Sequence, residues 1–131
     1  MRTNGFTLIE LAIVIVIIGV LAAVAVPRYI DMTTQARQAQ REATLSSIRS
    51  AYAIYLARNG GNPPTWAQLV TNLDASPQLK FNGGYAYMDY DNNNTAAATG
   101  ERVAQLFSND TCTTPVNNTT TAIRCIRNAI N

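Results

Sequence analysis

The chain has 131 residues, with ten Lys and Arg against eight Asp and Glu, so its formal net charge of +2 carries no signature of a nucleic-acid-binding protein. It contains no His, which removes the commonest general base and a frequent metal ligand. Because the carboxylates are also scattered, no base–nucleophile pair emerges, and we expect a protein that is not an enzyme and carries no cofactor.

The first predicted element is an apolar segment at residues 6–26, which carries a single charge at Glu10. Nine of the sixteen residues from 11 to 26 are Val or Ile, and none of the sixteen is charged. A helix of this length extends about 32 Å and can cross a hydrocarbon core of about 30 Å. We therefore predict one membrane span. The alternatives are a cleaved secretory signal, with a small-residue site at residues 22–25, and a buried core helix.

Glu10 interrupts the apolar pattern, because a carboxylate inside a spanning segment is costly unless it is paired. The nearest cations in the sequence are Arg2, eight residues before it, and Arg28, eighteen residues after it. Cleavage between Gly5 and Phe6 would create an α-amino group, which is a cation at neutral pH. That amine could pair with Glu10 of the same chain or of a neighbouring copy, and the second pairing would make Glu10 an assembly residue.

A more polar helical segment follows and runs to Arg58. After Pro27 it contains no Gly or Pro before the break at residues 59–64. A single helix over residues 6–58 would be roughly 80 Å long, so we expect its N-terminal half to project and its C-terminal half to pack on the rest of the chain. The predicted packing face consists of the apolar residues Leu45, Ile48, Tyr52 and Tyr55.

Gly19 and Pro27 are the predicted points of helix break, since Pro removes a backbone hydrogen bond and Gly costs about 1 kcal/mol relative to Ala. Either they produce an ordinary kink, or they mark a segment that loosens when the protein changes environment. A different feature of this helix is the pair Arg37 and Arg41, which lie four residues apart. We predict that acidic residues of a neighbouring copy, Asp89 or Asp91, contact them; the alternative is that both are solvated.

The remaining residues, rich in Asn and Thr, predict a small head built on this helix. Thr65 and Gln68 have capping-box spacing at the start of a short helix over residues 65–73. Three strands are predicted at residues 84–89, 102–107 and 122–126, with a turn at 91–94. The expected fold class is α+β, with a long N-terminal helix packed against a small antiparallel sheet.

The two cysteines, Cys112 and Cys125, both fall in this polar region. An even count in a small domain of this kind suggests a disulfide, and a disulfide suggests an oxidising compartment outside the cytoplasm. The alternative is a pair of free buried thiols.

Three side chains in the predicted turn, Asp89, Asp91 and Asn93, begin like a calcium-binding loop. An EF-hand would require Gly at position 94 and a carboxylate at position 100, where Asn94 and Gly100 stand. We therefore expect a solvated turn without a metal ion. The alternative is calcium binding by these three residues.

The order Gly5-Phe6-Thr7-Leu8-Ile9-Glu10, followed by the apolar run and Pro27, resembles the class III signal of type IV pilins and pseudopilins. The resemblance implies a leader at residues 1–5, a transmembrane and filament-core helix at 6–27, an amphipathic helical half at 28–58 and a globular head at 59–131. Within the head it implies an αβ-loop at 59–80, a β-sheet at 81–110 and a disulfide-bounded region at 111–131. The implied fold is type IV pilin-like.

The resemblance also assigns roles to individual residues. It implies that a prepilin peptidase cleaves after Gly5 and methylates Phe6, and that Glu10 docks to the N-terminal amine of an adjacent subunit. It further implies that an inner-membrane assembly platform extrudes the subunits from membrane lipid into a helical homopolymer.

The expected function is therefore a structural subunit of a type IV pilus, used for surface attachment, motility or a related extracellular task. Before assembly it would cross the inner membrane once, with its head outside the cytoplasm, and we expect no binding of nucleic acid by this subunit. The alternatives are a type II secretion pseudopilin, a minor or competence pilin and, from another class, a membrane-anchored binding domain that never polymerises.

Overall fold

The computed structural model describes residues 5–73, 78–95 and 100–130. Its elements in chain order are α1 (Leu8–Arg58), α2 (Trp66–Thr71), β1 (Leu79–Asn82), β2 (Tyr85–Met88), β3 (Arg102–Phe107) and β4 (Cys125–Asn128). The chain divides into two compact units, Met1–Arg37 and Gln38–Asn131, and α1 contributes residues to both. The α+β fold class is confirmed, since a long helix precedes a small antiparallel sheet.

The first unit consists of the N-terminal part of α1, preceded in the described part of the chain by residues 5–7. Every Leu, Ile and Val between residues 8 and 26 is more than half exposed. The helix is continuous at Gly19 and at Pro27, and the kink or loosening expected at these two residues stays a prediction. Apolar helices tolerate both residues because the rest of the hydrogen-bond ladder is kept. Of the predicted leader, residues 1–4 lie outside the described residues.

The second unit contains the C-terminal part of α1, which ends as the sequence predicts. Gly60 and Gly61 both have positive φ angles, of 62° and 85°, a conformation that glycine adopts at little cost. The amide of Gly61 donates to the carbonyl of Leu56 at 2.8 Å, which satisfies one of the orphan acceptors of the last helical turn.

The sheet is a simple antiparallel meander in the order β1-β2-β3-β4. Asn82 pairs with Tyr85 across a two-residue turn at Gly83 and Gly84, whose φ angles are 56° and 86°. Such a turn requires left-handed backbone at both positions, which favours glycine. A Cβ atom added to Gly84 would lie 3.0 Å from the Cβ atom of Pro115, so this turn is also packed against the later chain.

Two strands differ from the sequence prediction. β1 was not predicted. It crosses the boundary at residue 80 between the expected αβ-loop and the expected sheet. The last strand begins at Cys125 rather than at residue 122, because the preceding residues pair elsewhere. Ile123 donates its amide to the carbonyl of Pro64 at 2.7 Å, and Ala122 forms an isolated bridge with Thr65.

The short helix α2 follows its local sequence signal. The Thr65 side chain accepts a hydrogen bond from the amide of Gln68, and the Gln68 side chain accepts one from the amide of Thr65. This capping box satisfies two of the free donors at the start of the helix. It orients α2 so that Trp66 and Leu69 are buried.

The core of the second unit lies between α1, α2 and the sheet. Leu45, Ile48 and Ala51 of α1 are buried in it, which confirms the predicted packing face at Leu45 and Ile48. Tyr52 packs against the edge of the same cluster. The other buried apolar members are Trp66, Leu69, Ala86, Met88, Val103, Ala104, Leu106, Val116 and Ile123.

A disulfide joins Cys112 to Cys125. It links the loop after β3 to the first residue of β4, and the two cysteines are 13 residues apart in sequence. Closing a loop of this size stabilises the fold by about 3 kcal/mol in the chain-entropy model.

Candidate functional site

The N-terminal end of α1 is organised by Thr7 and Glu10. The backbone amide and the hydroxyl of Thr7 both donate to Oε2 of Glu10 at 2.9 Å. In return, the amide of Glu10 donates to Oγ1 of Thr7 at 3.3 Å. This reciprocal arrangement is a capping box, and it satisfies donors that would otherwise be free at the helix start.

The capping box fixes the position of the Glu10 carboxylate. The carboxylate lies in the first turn of α1, where the helix dipole favours negative charge. It is exposed, like the apolar side chains around it, including Leu8 and Ile9. The first unit therefore presents one carboxylate at the start of a long apolar surface.

The predicted cleavage point, the peptide bond between Gly5 and Phe6, immediately precedes this capping box. Both residues are exposed and lie before the first residue of the helix. An amine created at Phe6 would be the group next in the chain to Thr7, whose amide already contacts Glu10. The geometry thus brings Gly5, Phe6 and Glu10 to one end of α1, and their processing and assembly roles stay predictions.

Thr7 was not singled out by the sequence analysis, although the signal was present. Thr followed three residues later by Glu, directly before an apolar run, is the pattern of a capping box. Glu10 was considered only as an unpaired charge, so its local bonds to Thr7 were overlooked.

α1 is also the one helix in the described part of the chain that is long and apolar enough to cross a membrane. Its most apolar 18-residue window has a mean hydropathy of 3.0, and none of that window is buried. This finding rests on length and composition, and it agrees with the span predicted from the sequence.

A second polar cluster lies in the connection between β2 and β3. The Asp89 side chain is buried and forms an ion pair with Lys80 at 2.6 Å between Oδ2 and Nζ. It also accepts hydrogen bonds from the amides of Asn93 and Asn94, at 3.1 and 3.2 Å. Asp89 therefore holds together the turn that follows β2.

The three residues considered from the sequence as calcium ligands make different contacts in this turn. The carboxylates of Asp89 and Asp91 come together, and they are joined by that of Glu101, with one oxygen of each within 4.8 Å of the others. The amide oxygen of Asn93 instead accepts from Thr95 at 2.8 Å. Glu101 was missed because it is ten residues beyond Asp91 in the sequence. Only the pairing of β3 with β2 places its carboxylate near that of Asp91.

The burial of both side chains speaks against the predicted contact of Arg41 with Asp89 of another copy. Arg41 is buried within the second unit, and its Nη1 donates to the carbonyl of Arg102 at 3.5 Å. Asp89 is buried as well and is paired with Lys80 of its own chain. Helical spacing placed Arg41 on a polar face, but the packing of β3 against that face covers it.

The hydrogen bond from Lys80 lowers the pKa of Asp89 below its ordinary value of 3.8, and this outweighs the opposing effect of burial. The unfolded chain therefore takes up the proton at a higher pH than the folded chain does. The stabilisation is fully present above about pH 4 and is lost as the pH falls through the folded pKa.

We therefore expect the free energy of unfolding to fall as the pH is lowered from 5 toward 2, and to fall less steeply in a Lys80→Met variant. Denaturant titration of the detergent-solubilised chain at several pH values measures this slope. Arg49→Met, which removes an exposed cation of α1, is the matched control and should keep the steeper slope. Equal slopes in the wild-type and Lys80→Met proteins would contradict the assignment.

The N-terminal region matches a known family model. The model for the prokaryotic N-terminal methylation motif matches residues 1–26, which include Gly5, Phe6 and Glu10. The match includes the residues that carry the class III signal and the whole apolar segment at residues 6–26.

Relatives extend the likeness into the head. The type IV narrow pilus major component PilA5 of Thermus thermophilus is 48% identical over 97 residues, which cover 74% of this chain and 79% of the relative. The type IV major pilin protein PilE1 of Neisseria gonorrhoeae is 40% identical over 83 residues. The type IV major pilin protein PilA of Myxococcus xanthus is 44% identical over 50 residues.

The chain spans different shares of these proteins: about four-fifths of the Thermus relative, 48% of the gonococcal one and 23% of the Myxococcus one. No solved structure matches the chain significantly. Three findings agree on the family of this chain: the motif at residues 1–26, the α+β architecture and the extent of the Thermus match. The chain belongs to the type IV pilin family.

Proposed function

We propose that this chain is a structural subunit of a type IV pilus and polymerises through the apolar part of α1. The observation that carries the proposal is the exposed surface between residues 8 and 26, on which every Leu, Ile and Val is more than half exposed. Apolar surface of this extent is rare on monomeric soluble proteins and marks a membrane or protein contact. Lipid covers it before assembly, and α1 helices of other subunits cover it in the filament.

Processing by a prepilin peptidase prepares the subunit for assembly. The peptidase cleaves between Gly5 and Phe6 and methylates the amine of Phe6. The family match at residues 1–26 supports this step, and so does the exposure of both residues ahead of the first helical turn. An extended, exposed segment is the form in which a protease can bind a peptide bond.

Glu10 then recruits the next subunit through its carboxylate. The amine of Phe6 is the cation that becomes available after cleavage, and it lies at the same end of the helix as Glu10. In the surroundings of apolar helices an unpaired carboxylate is strongly disfavoured. Pairing with the amine of an adjacent subunit removes that penalty and fixes the axial position of one helix against the next.

The subunit starts in the inner membrane with its head outside the cytoplasm, and an assembly platform there moves it into the extracellular filament. The disulfide between Cys112 and Cys125 supports an oxidising location for the head. The relatives, which are major pilus components, support a major pilus subunit rather than a secretion pseudopilin or a minor pilin. Attachment and motility are the tasks that such a filament would perform.

The test is the composition of surface fibres sheared from cells that express the chain. Intact mass measurement of the sheared material should give a chain that begins at Phe6 and carries one methyl group. A Gly5→Val variant should keep its leader and stay in the membrane fraction, whereas Gly19→Ala should be processed normally. Fibres that lack this chain, or a mature chain with a different N-terminus, would refute the proposal.

A further inference from the structure

The cluster of Asp89, Asp91 and Glu101 has no part in cleavage or in helix bundling. Asp89 follows the last residue of β2, and Glu101 precedes the first residue of β3, so the cluster lies where both strands end. Two of its members, Asp89 and Glu101, are buried, and Asp91 is exposed. We propose that these three carboxylates form a binding site for Ca²⁺ in the head.

The oxygen atoms lie close enough together to bind Ca²⁺, whose flexible coordination suits an irregular cluster better than the strict octahedron of Mg²⁺. One oxygen from each carboxylate lies within 4.8 Å of the other two. Ca²⁺ binds oxygen at about 2.3–2.6 Å and so can bridge atoms up to about 5 Å apart. Mg²⁺ binds at about 2.0–2.1 Å, reaches only about 4.2 Å, and demands a stricter octahedral arrangement. At most a small further closure of the cluster would bring all three oxygens to the Ca–O distance.

Glu101 supplies an observation independent of the clustering. Only 5% of this residue is exposed, and its Oε2 atom accepts no hydrogen bond from any residue in the described part of the chain. The other oxygen, Oε1, accepts from the amide of Tyr90 at 3.3 Å. A buried carboxylate oxygen without a partner is expensive, and a cation bound beside it removes the cost.

The charges in the cluster leave room for a cation. Lys80 contributes one positive charge. Its ammonium group donates to Oδ2 of Asp89 and to Oδ1 of Asn94. Arg41 adds a second buried cation, since its Nη1 donates to the carbonyl of Arg102, the residue after Glu101. Three carboxylates against these two cations still leave one negative charge for a bound ion. Asp91 lies on the solvent side, so it provides the point of entry, and water completes the coordination shell.

Lys80 also limits the affinity, because its ammonium group competes for Asp89. A bound ion must share that carboxylate with Lys80, or displace the lysine. Removal of the positive charge by Lys80→Met should therefore tighten calcium binding. If the ion pair only held the turn together, its loss would weaken calcium binding instead.

The experiment is calcium titration of the full-length chain in detergent, followed by calorimetry and by thermal unfolding. We expect saturable binding of one Ca²⁺ per chain and a rise in Tm with calcium. Asp91→Asn and Glu101→Gln should each weaken binding at least tenfold, and Mg²⁺ should bind more weakly than Ca²⁺. The matched control is Asp110→Asn, which removes an exposed carboxylate near Arg124 and should leave binding unchanged.

Three results would overturn the proposal: no saturable binding at millimolar calcium, Mg²⁺ binding as tight as Ca²⁺, or unchanged calcium affinity in Asp91→Asn. The exposed Asp91 keeps the test decisive if Glu101→Gln fails to fold, because the substituted side chain itself lies on the surface. Filament formation is measured separately, so failure of the calcium site leaves the proposed pilus role unaffected.

Discussion

Replacement of Glu10 by Gln is expected to abolish surface filaments while the membrane-inserted precursor stays at its normal level. Gln at this position can still accept the bonds from Thr7, because capping boxes use Glu or Gln alike. The substitution therefore removes the charge and keeps the helix start. Loss of one partner from a buried ion pair costs about 3–5 kcal/mol, and every subunit of the filament repeats that loss. Immunoblots of sheared fibres against membrane fractions measure the effect.

Two further variants separate the charge from its surroundings. Thr7→Ala removes the capping hydroxyl but keeps the carboxylate. We expect it to destabilise the helix by about 1 kcal/mol and to reduce filament yield only partly. Asp31→Asn removes an exposed carboxylate from the same unit and should assemble normally. If Glu10→Gln made as many filaments as the wild-type chain, Glu10 would be a helix cap only.

Ile48→Ala is expected to lower the free energy of unfolding of the head by about 2–5 kcal/mol. Ile48 is fully buried among core residues from α2 and the sheet, so truncation leaves a cavity there. Trp66 is the single Trp of the chain and lies in the same core, so its fluorescence reports unfolding in denaturant.

Ile54→Ala is the matched control for this change. It makes the same truncation in the same helix, at a side chain that is 50% exposed. We expect a loss of less than about 1 kcal/mol there, because little apolar area returns to water. Similar losses for the two variants would show that the helix does not pack on the sheet as described.

Local signals in the sequence predicted the local parts of the fold. The glycines after Arg58 ended α1, and the spacing of Thr65 and Gln68 started α2. The strands were harder, because their limits depend on partners that are distant in sequence. Ile123 reads as part of a strand, yet its amide bonds to Pro64, and only the folded chain reveals this.

The same distinction holds for the candidate sites. Gly5, Phe6 and Glu10 were predicted because the signal that contains them is contiguous. Glu101 escaped prediction because β3 must fold back beside β2 before its carboxylate meets that of Asp89. The burial of Arg41 escaped for a similar reason, since helical periodicity cannot say which polar face a strand will cover.

On the proposed pilus role, the exposed apolar surface between residues 8 and 26 decides how the cell can store this protein. Exposure of that surface to water is costly, so the supply for fibre growth would be a two-dimensional pool in the membrane. Growth then depends on the number of subunits per unit of membrane area, not on their number per volume of cytoplasm. Membrane expansion without new synthesis would dilute the pool and slow elongation, even though the total amount of protein stayed constant.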